Sequence, residues 1–332
     1  MKRTLVAFVL IALAGLMAGG GGFFYVKGLA HAPGLNTQPV RVVIEPGLGV
    51  SAIANRLRTA GVTAKPMVFR IWARLTEAHT KLRAGEYDLP AYASTVQVLD
   101  ILKSGKTVVR KLTVAEGLSA IEALMVVQDA EGLTGDITDI PDEGWLMPDT
   151  YHYSWGDSRN ALLGRIADDM GTALSQAWDE RPDDFILTSA KDVLILASIV
   201  EKETAVAAER AQIAAVFLNR LKKGMRLQSD PTVVYALTEG AGPLGRALTR
   251  DDLKIDSPYN TYRIKGLPPA PISNPGRAAL QAVVRPAQTN ALYFVADGTG
   301  GHVFAKTLKE HNKNVRKWRK IKRAQDLKRK AQ

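Results

Sequence analysis

Two glutamates end a long apolar segment near the middle of the chain. Within the run 189–204, residues 193–200 are apolar except for Ser198, and Glu201 and Glu203 follow. This pattern predicts a helix that is buried on nearly every side. Burial and the partial negative charge of a helix C-terminus both disfavour a carboxylate, so both raise its pKa. A carboxylic acid that stays protonated near neutral pH can act as a general acid.

The spacing does not choose between the two acids. Glu201 shares a helix face with Leu194, whereas Glu203 shares another face with Leu196. A structural interpretation is equally open, in which Glu201 marks the exposed end of a core helix and Lys202 pairs with neighbouring acids. A perturbed carboxylate is compatible with either role, so the residues alone leave the question open.

Residues downstream of this helix carry groups suited to binding a sugar. Gln228 can hydrogen-bond an acetamido or hydroxyl group, and Asn260 supplies a donor and an acceptor. Tyr259 and Tyr262 can stack their apolar faces on sugar rings. Each has a structural alternative: Gln228 as an ordinary loop amide, and the tyrosines as packing for the Gly- and Pro-rich loop 238–276.

Other polar residues fit structural roles better. Asp230, which precedes a proline, is typical of a helix N-cap. Glu143 and Asp149 form a possible second acid pair, but the sequence around Asp149 is typical of a turn. His302 and His311 lack the spacing of metal ligands, so neither is predicted to bind a metal.

The net charge of +11 is concentrated at the C-terminus. Residues 306–332 hold 12 of the 44 basic residues and two of the 33 acids, so they carry +10 and the rest of the chain only +1. A nucleic-acid enzyme would spread a basic face over its folded domain, so nucleic acid is not an expected partner. The chain has no cysteine, which excludes disulfides, thiolate metal sites and cysteine nucleophiles.

The N-terminus predicts a membrane anchor. Residues 4–26 are uncharged and follow Lys2 and Arg3, and about 20 apolar residues span a bilayer as a helix. The positive-inside rule places the N-terminus in the cytoplasm and the chain from Lys27 onward outside it. A signal peptide cleaved at 30–32 is the alternative, and it also exports the body. The expected location is therefore the cytoplasmic (inner) membrane, with a single pass and an extracytoplasmic, periplasmic body.

The patterns along the chain predict an α+β fold. The expected organisation is an anchor at 1–26, a linker at 27–39, a small α/β module at 40–112, a helix-rich domain with a few short strands at 113–306, and a solvated basic tail at 307–332. Strands are predicted at 40–44, 106–114, 292–296 and 302–304, and helices at 50–60, 67–75, 95–103, 119–131, 158–180, 190–203 and 207–223.

Several runs of the sequence, in this order, resemble the MltG (YceG-like) endolytic murein transglycosylases. The runs are Glu143–Tyr151, Leu196–Thr204, Val216–Leu221, Met225–Thr232, Tyr259–Tyr262, Gly266–Pro269, Asn274–Gly276, Tyr293–Ala296 and Gly301-His302. The resemblance extends from the N-terminal apolar segment to about Asn314, so it covers all but the end of the basic tail.

The resemblance implies that Glu201 is the catalytic acid/base of a lyase. The expected substrate is the glycan of peptidoglycan, cut at the β-1,4 bond from MurNAc to GlcNAc to leave a 1,6-anhydro-MurNAc end. One carboxylate suffices because the C6 hydroxyl of the substrate is the nucleophile, whereas ordinary glycosidases need two carboxylates. The expected substrate-binding residues are Gln228, Ser229, Tyr259, Asn260 and Tyr262, and no metal or cofactor is expected.

The resemblance also implies partners and a role for the N-terminal module. Residues 40–112 look like the LysM-like subdomain of the family, a resemblance carried by the run 42–57. This module would bind or orient glycan strands, although a spacer role is the alternative. Penicillin-binding proteins, the peptidoglycan synthases, are expected partners, and the cut would limit the length of nascent strands. Two rival hypotheses are a non-catalytic wall-binding scaffold and an anionic-polymer binder driven by the tail. Deleting 307–332 would abolish binding of an anionic polymer if the tail is responsible for it. A wall lyase, in contrast, is expected to keep cutting.

Overall fold

The structure is a computed structural model that describes residues 2–330, except for the side chains of residues 2–4, 8, 9, 11, 12, 326 and 328–330. Its helices are α1 (Lys2–His31), α2 (Val50–Thr59), α3 (Pro66–Leu75), α4 (Thr95–Ser104), α5 (Ala120–Gln128), α6 (Arg159–Asp179), α7 (Ala190–Glu203), α8 (Arg210–Lys222), α9 (Asp230–Thr238), α10 (Arg277–Val284) and α11 (Leu308–Lys330). Its strands are β1 (Val40–Ile44), β2 (Gly85–Leu89), β3 (Val109–Thr113), β4 (Thr150–Ser154), β5 (Tyr293–Ala296) and β6 (His302–Ala305), paired as β1-β2, β3-β4 and β5-β6.

The chain divides into two compact units. The first holds the residues up to Arg110 together with 131–134 and 152–158. In it β1 pairs antiparallel with β2, from Val40 opposite Leu89 to Ile44 opposite Gly85. The apolar faces of α2, α3 and α4 share one core with these two strands.

Strand β2 was not predicted from the sequence, because it carries a buried charge. Glu86 is 2% exposed, and its carboxylate accepts hydrogen bonds of 2.7 and 2.9 Å from Arg110. The guanidinium of Arg110 lowers the pKa of Glu86 and so keeps it ionised. A strand that buries an acid and its partner together does not show the alternation of apolar and polar residues that predicts strands.

The predicted membrane segment lies within α1. Among the described residues, no helix combines the length and the apolar character needed to cross a bilayer. Residues 1–4, 8, 9, 11 and 12 of the predicted segment fall outside the side chains that the structure describes. The predicted linker at 27–39 begins as helix, since α1 continues to His31. At this end of α1, Ala30 is fully buried, and the ring centroids of His31 and Trp72 lie 5.8 Å apart.

The second unit is built around α7. Its start is set by a capping box between Ser189 and Asp192, and every residue from Val193 to Val200 is buried. Helices α6, α8 and α10 pack on its sides. The bounds of α7 match the prediction, whereas α10 and β4 were not predicted.

The C-terminal helix is not a solvated extension throughout. Helix α11 packs along β5 and β6, the hairpin predicted around Asp297 and Gly298. Ile321 presses against Gly298, where an added Cβ would lie 2.6 Å from the Ile321 side chain, and Gln325 donates to the Gly298 carbonyl at 3.0 Å. The tail that was predicted to be a solvated basic helix is therefore a helix that is mostly exposed but covers the hairpin with one side.

Candidate active site

The last residue of α7, Glu203, lies beside a cavity. Glu203 lines a cavity of 420 Å³ that is walled by loops, by the hairpin and by the start of α11. The other lining residues are Arg220, Gln228, Asp230, Tyr262, Tyr293, Phe294, Val295, Leu308 and His311. Because residues 193–200 of α7 are all buried, the backbone that leads to Glu203 is held rigidly at the edge of this space.

The Glu203 side chain is oriented by the turn that precedes α9. The buried Ser229 hydroxyl donates to Glu203 Oε1 at 2.5 Å. Ser229 is itself held by a 3.0 Å hydrogen bond from its backbone N–H to Thr261 Oγ1, and Gln228 beside it takes a left-handed φ of 51°. Ser229 therefore acts on the carboxylate rather than on a sugar, and Gln228 reaches the cavity.

The surroundings of Glu203 favour its protonated form. Burial raises the pKa of Glu203 to about 7, and the nearby charge of Asp230 adds to that effect. The Ser229 hydrogen bond and the charges of His302 and Arg220 act in the opposite direction. At neutral pH the group is thus divided between acid and carboxylate, as a residue that both gives and takes a proton requires.

This pKa predicts a pH-dependent effect on stability. The folded protein holds the Glu203 proton more tightly than the unfolded chain, whose pKa lies near 4.5. Stability is therefore lost as pH rises from about 4.5 through 7. We expect Glu203→Gln to be more stable than the wild type by about 3 kcal/mol at pH 8, and equally stable at pH 4. Chemical unfolding of both proteins at the two pH values measures the difference, and a difference that is the same at both would contradict the raised pKa.

The predicted sugar-binding residues of the loop 257–263 have three different environments. Tyr262 lines the cavity, and its hydroxyl donates to Asp230 at 2.5 Å. Asn260 is fully buried, donates to the carbonyls of Leu253 and Ile255, and accepts from the Tyr262 backbone N–H. Asn260 therefore shapes the loop that presents Tyr262.

Tyr259 is not among the residues that line the Glu203 cavity. Its ring packs against that of Tyr235, with centroids 4.9 Å apart, and it is partly buried against the helical core. Packing, which the sequence analysis held open as the alternative to sugar stacking, accounts for this position.

Glu201 occupies a closed polar cluster. Its side chain is 5% exposed, and Oε2 accepts a 3.0 Å hydrogen bond from the Gly276 backbone N–H. Oε1 lies 3.4 Å from Arg210, whose guanidinium also lies 3.2 Å from Glu116. Burial raises the pKa of Glu201 and Glu116 adds to this, whereas Gly276 and Arg210 lower it. Gly276 allows the close approach, since an added Cβ would lie 1.9 Å from Glu116 Oε1.

The remaining acids of the sequence analysis have structural partners. Glu143 accepts a hydrogen bond from the backbone N–H of Ala120 at the start of α5, and Asp149 accepts one from Thr150. The prediction that Asp230 caps α9 is wrong by one position: Ser229 is the N-cap residue, and Asp230 is the first residue of the helix.

Three of the polar residues in the cavity wall, Arg220, Tyr293 and His311, were not predicted to belong to the site. Arg220 and Tyr293 lie within runs that carry the family resemblance, but no role was assigned to them. Arg220 is buried and donates to the Leu292 carbonyl at 2.7 Å, which ties α8 to the hairpin. His311 was considered only as a metal ligand, and its position became evident only from the packing of α11.

Comparison with known proteins identifies relatives along most of the chain. A model of the YceG-like family matches residues 42–317. An endolytic murein transglycosylase of Bacillus subtilis (strain 168) is 32% identical over 336 residues, which is 90% of this chain and 90% of that protein. One from Streptococcus pneumoniae (strain D39) is 31% identical over 365 residues, which is 95% of this chain but 65% of the other.

A solved structure is similar to this one over most of its length. The crystal structure of a YceG-like protein from Listeria monocytogenes, at 2.6 Å, is 32% identical and has a TM-score of 0.52. The match covers 84% of this chain and 99% of that one. The family match and these relatives together establish that the chain belongs to the YceG-like family.

Proposed function

We propose that this protein is an endolytic lytic transglycosylase of peptidoglycan. It cuts the β-1,4 bond from MurNAc to GlcNAc, leaves a 1,6-anhydro-MurNAc end and so limits the length of nascent strands. Relatives named endolytic murein transglycosylases, which match about nine-tenths of the chain, support the reaction. The observation that carries the chemistry is a carboxyl group with a pKa of about 7 at the edge of an open cavity.

The geometry favours Glu203 over Glu201 as the group that transfers protons. Glu203 lines the cavity, and its hydrogen-bond donor is a neutral hydroxyl. Glu201 is enclosed, with one oxygen bound to a backbone N–H and the other beside Arg210. A general acid must come within hydrogen-bond reach of the substrate, and the surroundings of Glu203 allow this. The family resemblance favours Glu201, so the two assignments make opposite predictions.

The reaction needs a single carboxyl group. Glu203, as the acid, gives its proton to the glycosidic oxygen while the C6 hydroxyl of the same MurNAc attacks C1. The resulting carboxylate takes the proton of that hydroxyl, so the C1–O bond to GlcNAc breaks, a C1–O6 bond forms and Glu203 ends protonated. No water is consumed. Tyr262 and Gln228 in the cavity wall are suited to hold the sugar by stacking and by amide hydrogen bonds.

A second cavity supports cutting within a strand. It measures 440 Å³ and shares Asp230 with the Glu203 cavity. Lys202, Pro231, Val234 and Tyr235 are among its lining residues. Because the two cavities share a lining residue, a strand that fills both would extend beyond the sugar at Glu203, as cutting within a strand requires.

The location and partners of the protein belong to the same proposal. The uncharged run 4–26 after two basic residues supports a single-pass anchor in the cytoplasmic membrane, with the body in the periplasm. In this position the enzyme would meet strands as penicillin-binding proteins make them. Residues 40–112 would then orient the glycan as a LysM-like module, which the resemblance of 42–57 supports.

The nature of the new chain ends tests the reaction. The full-length protein, purified in detergent, is incubated with purified peptidoglycan, and the products are identified by mass spectrometry. We expect long fragments that end in 1,6-anhydro-MurNAc. Reducing MurNAc ends would instead indicate a hydrolase that uses a second carboxylate, for which Asp230 is the candidate in the cavity. Binding without any new ends would support the scaffold hypothesis.

A further inference from the structure

The last turns of α1 pack against α3 within the first unit. Trp72 of α3 contacts two aromatic rings of α1: its centroid lies 6.0 Å from that of Phe23 and 5.8 Å from that of His31. Phe23 belongs to the uncharged run 4–26, which the proposed anchor places in the bilayer. Helix α3 therefore lies at the level at which this run ends.

The side chains at the end of the run are typical of a membrane boundary. Phe24 and Tyr25 are both exposed, and Lys27 is the first charged residue after Arg3. Aromatic residues are enriched where hydrocarbon meets water, and a lysine near a helix end extends its ammonium group towards the water. Since Phe23 contacts Trp72, this boundary passes beside α3.

Helix α3 presents a row of apolar side chains that no core covers. Met67, Ile71 and Leu75 are spaced four residues apart, so they lie along one side of the helix, and all three are exposed. The other side of α3, which includes Val68 and Phe69, is buried in the core of the first unit. A row of large apolar residues at the surface of a folded domain indicates a surface that binds a partner.

The charges around this row identify the partner as an anionic surface. Residues 46–76 contain five basic residues and no acid. Two of the basic residues, Arg70 and Arg74, follow Met67 and Ile71 by three positions and so flank the apolar row. An arginine can lay its apolar stem along hydrocarbon while its guanidinium binds a phosphate. An apolar row flanked by arginines suits the boundary layer of a bilayer that contains anionic phospholipids.

We propose that α3 is a lipid-binding helix, which lies in the extracytoplasmic face of the membrane that holds the anchor. Met67, Ile71 and Leu75 enter the upper part of the acyl chains, and Arg70 and Arg74 bind the phosphates of anionic lipids. This inference rests on the proposed anchor and goes beyond it. A second membrane contact would fix the orientation of the module 40–112 relative to the bilayer, which a single helix leaves free to rotate.

The absence of cysteine allows the depth of single residues to be measured in the full-length protein. Met67→Cys, Leu75→Cys, Leu16→Cys and Asp88→Cys are each labelled with an environment-sensitive fluorophore, in nanodiscs of phosphatidylethanolamine and phosphatidylglycerol. All four positions are exposed. We expect lipids with a nitroxide near the headgroup to quench the labels at 67 and 75 by roughly half, and the label at 88, on β2, hardly at all. Leu16, in the middle of the run 4–26, reports the anchor through lipids with a nitroxide at the chain end.

The pattern of quenching separates this inference from the anchor. Quenching at Leu16 without quenching at Met67 and Leu75 would keep the anchor and overturn the role of α3. Quenching at Met67 and Leu75 without quenching at Leu16 would reject the anchor and still support lipid binding by α3. No quenching at any of the three would reject both. Equal quenching at Asp88 would also overturn the inference, because contact with lipid would then not be specific to α3.

A charge variant tests the choice of lipid. Arg70→Gln/Arg74→Gln, introduced into the protein labelled at Met67, is expected to lower the quenching about twofold in these nanodiscs. The unchanged protein is expected to show a similar loss in nanodiscs of phosphatidylcholine alone. If neither change lowers the quenching, the two arginines do not bind anionic lipids and that part of the inference is rejected. Melting temperatures equal to that of the unlabelled protein verify the fold of each variant, and Ile71→Cys replaces any labelled variant of α3 that melts earlier.

Discussion

Glu203→Gln is expected to reduce the rate of glycan cutting roughly a thousandfold, and Glu201→Gln less than tenfold. The first change keeps an oxygen that can accept from Ser229 but removes the proton that must reach the glycosidic oxygen. General acid–base catalysis by a positioned side chain contributes roughly 10²–10⁴ in rate. Glu201→Gln leaves an oxygen that can accept the Gly276 hydrogen bond and alters only the charge beside Arg210. Glu201 is not among the residues that line the Glu203 cavity.

The two variants form a matched pair, because they sit two residues apart on one helix and make the same chemical change. Rates of 1,6-anhydro-MurNAc formation are compared with melting temperatures, since a loss of activity that follows a loss of folding says nothing about catalysis. Ser229→Ala adds a graded control: removing one hydrogen bond to Glu203 is expected to lower the rate by roughly tenfold. If Glu201→Gln is the inactive protein and Glu203→Gln cuts normally, the cavity has been assigned to the wrong carboxyl group and the family resemblance identified the right one.

The element that carries both acids could be predicted because its signals are local. A capping box at Ser189, an apolar run interrupted only by Ser198 and two terminal acids lie within 16 residues, and α7 has the bounds that this pattern predicts. Strand β2 could not be predicted in the same way. Its buried Glu86 is tolerated only because Arg110 reaches it from 24 residues away, and no local pattern records such a partner.

The choice between Glu201 and Glu203 depends on contacts that are remote in sequence. Ser229 and Tyr293 reach the surroundings of Glu203 from 26 and 90 residues away, and Gly276 reaches Glu201 from 75. Helical periodicity shows that the two side chains point in different directions, but it does not show which direction meets open space.

The loop 257–263 illustrates the same limit. Its residues follow no regular period, so the destinations of Tyr259, Asn260 and Tyr262 could not be derived from spacing. One packs on Tyr235, one is buried in hydrogen bonds and one lines the cavity. The residue types predicted a sugar site, but the type of a side chain does not determine its direction in an irregular loop.

Deleting residues 307–332 is expected to lower the cutting rate by at least a hundredfold. This reverses the expectation from the sequence, in which a wall lyase tolerates loss of the tail. Leu308 and His311 form part of the cavity wall, and α11 covers the hairpin that contributes Tyr293. A shift of about 1 Å in a positioning element can cost 10²-fold in rate, and here two residues of the wall are removed. The melting temperature is expected to fall as well, because the apolar contact of Ile321 with the hairpin is lost.

A charge variant separates the contribution of the cavity-wall residues of α11 from the contribution of its positive charges. Replacing Arg316, Lys317, Arg319 and Lys320 by Gln removes four positive charges from exposed positions and leaves Leu308, His311 and Ile321 in place. We expect this variant to cut within about twofold of the wild type, because surface charges away from a site contribute little to its geometry. A loss as large as that of the deletion would mean that α11 acts through its charge, as the anionic-polymer hypothesis holds. Normal cutting by the protein that lacks 307–332 would show that neither α11 nor His311 is part of the site.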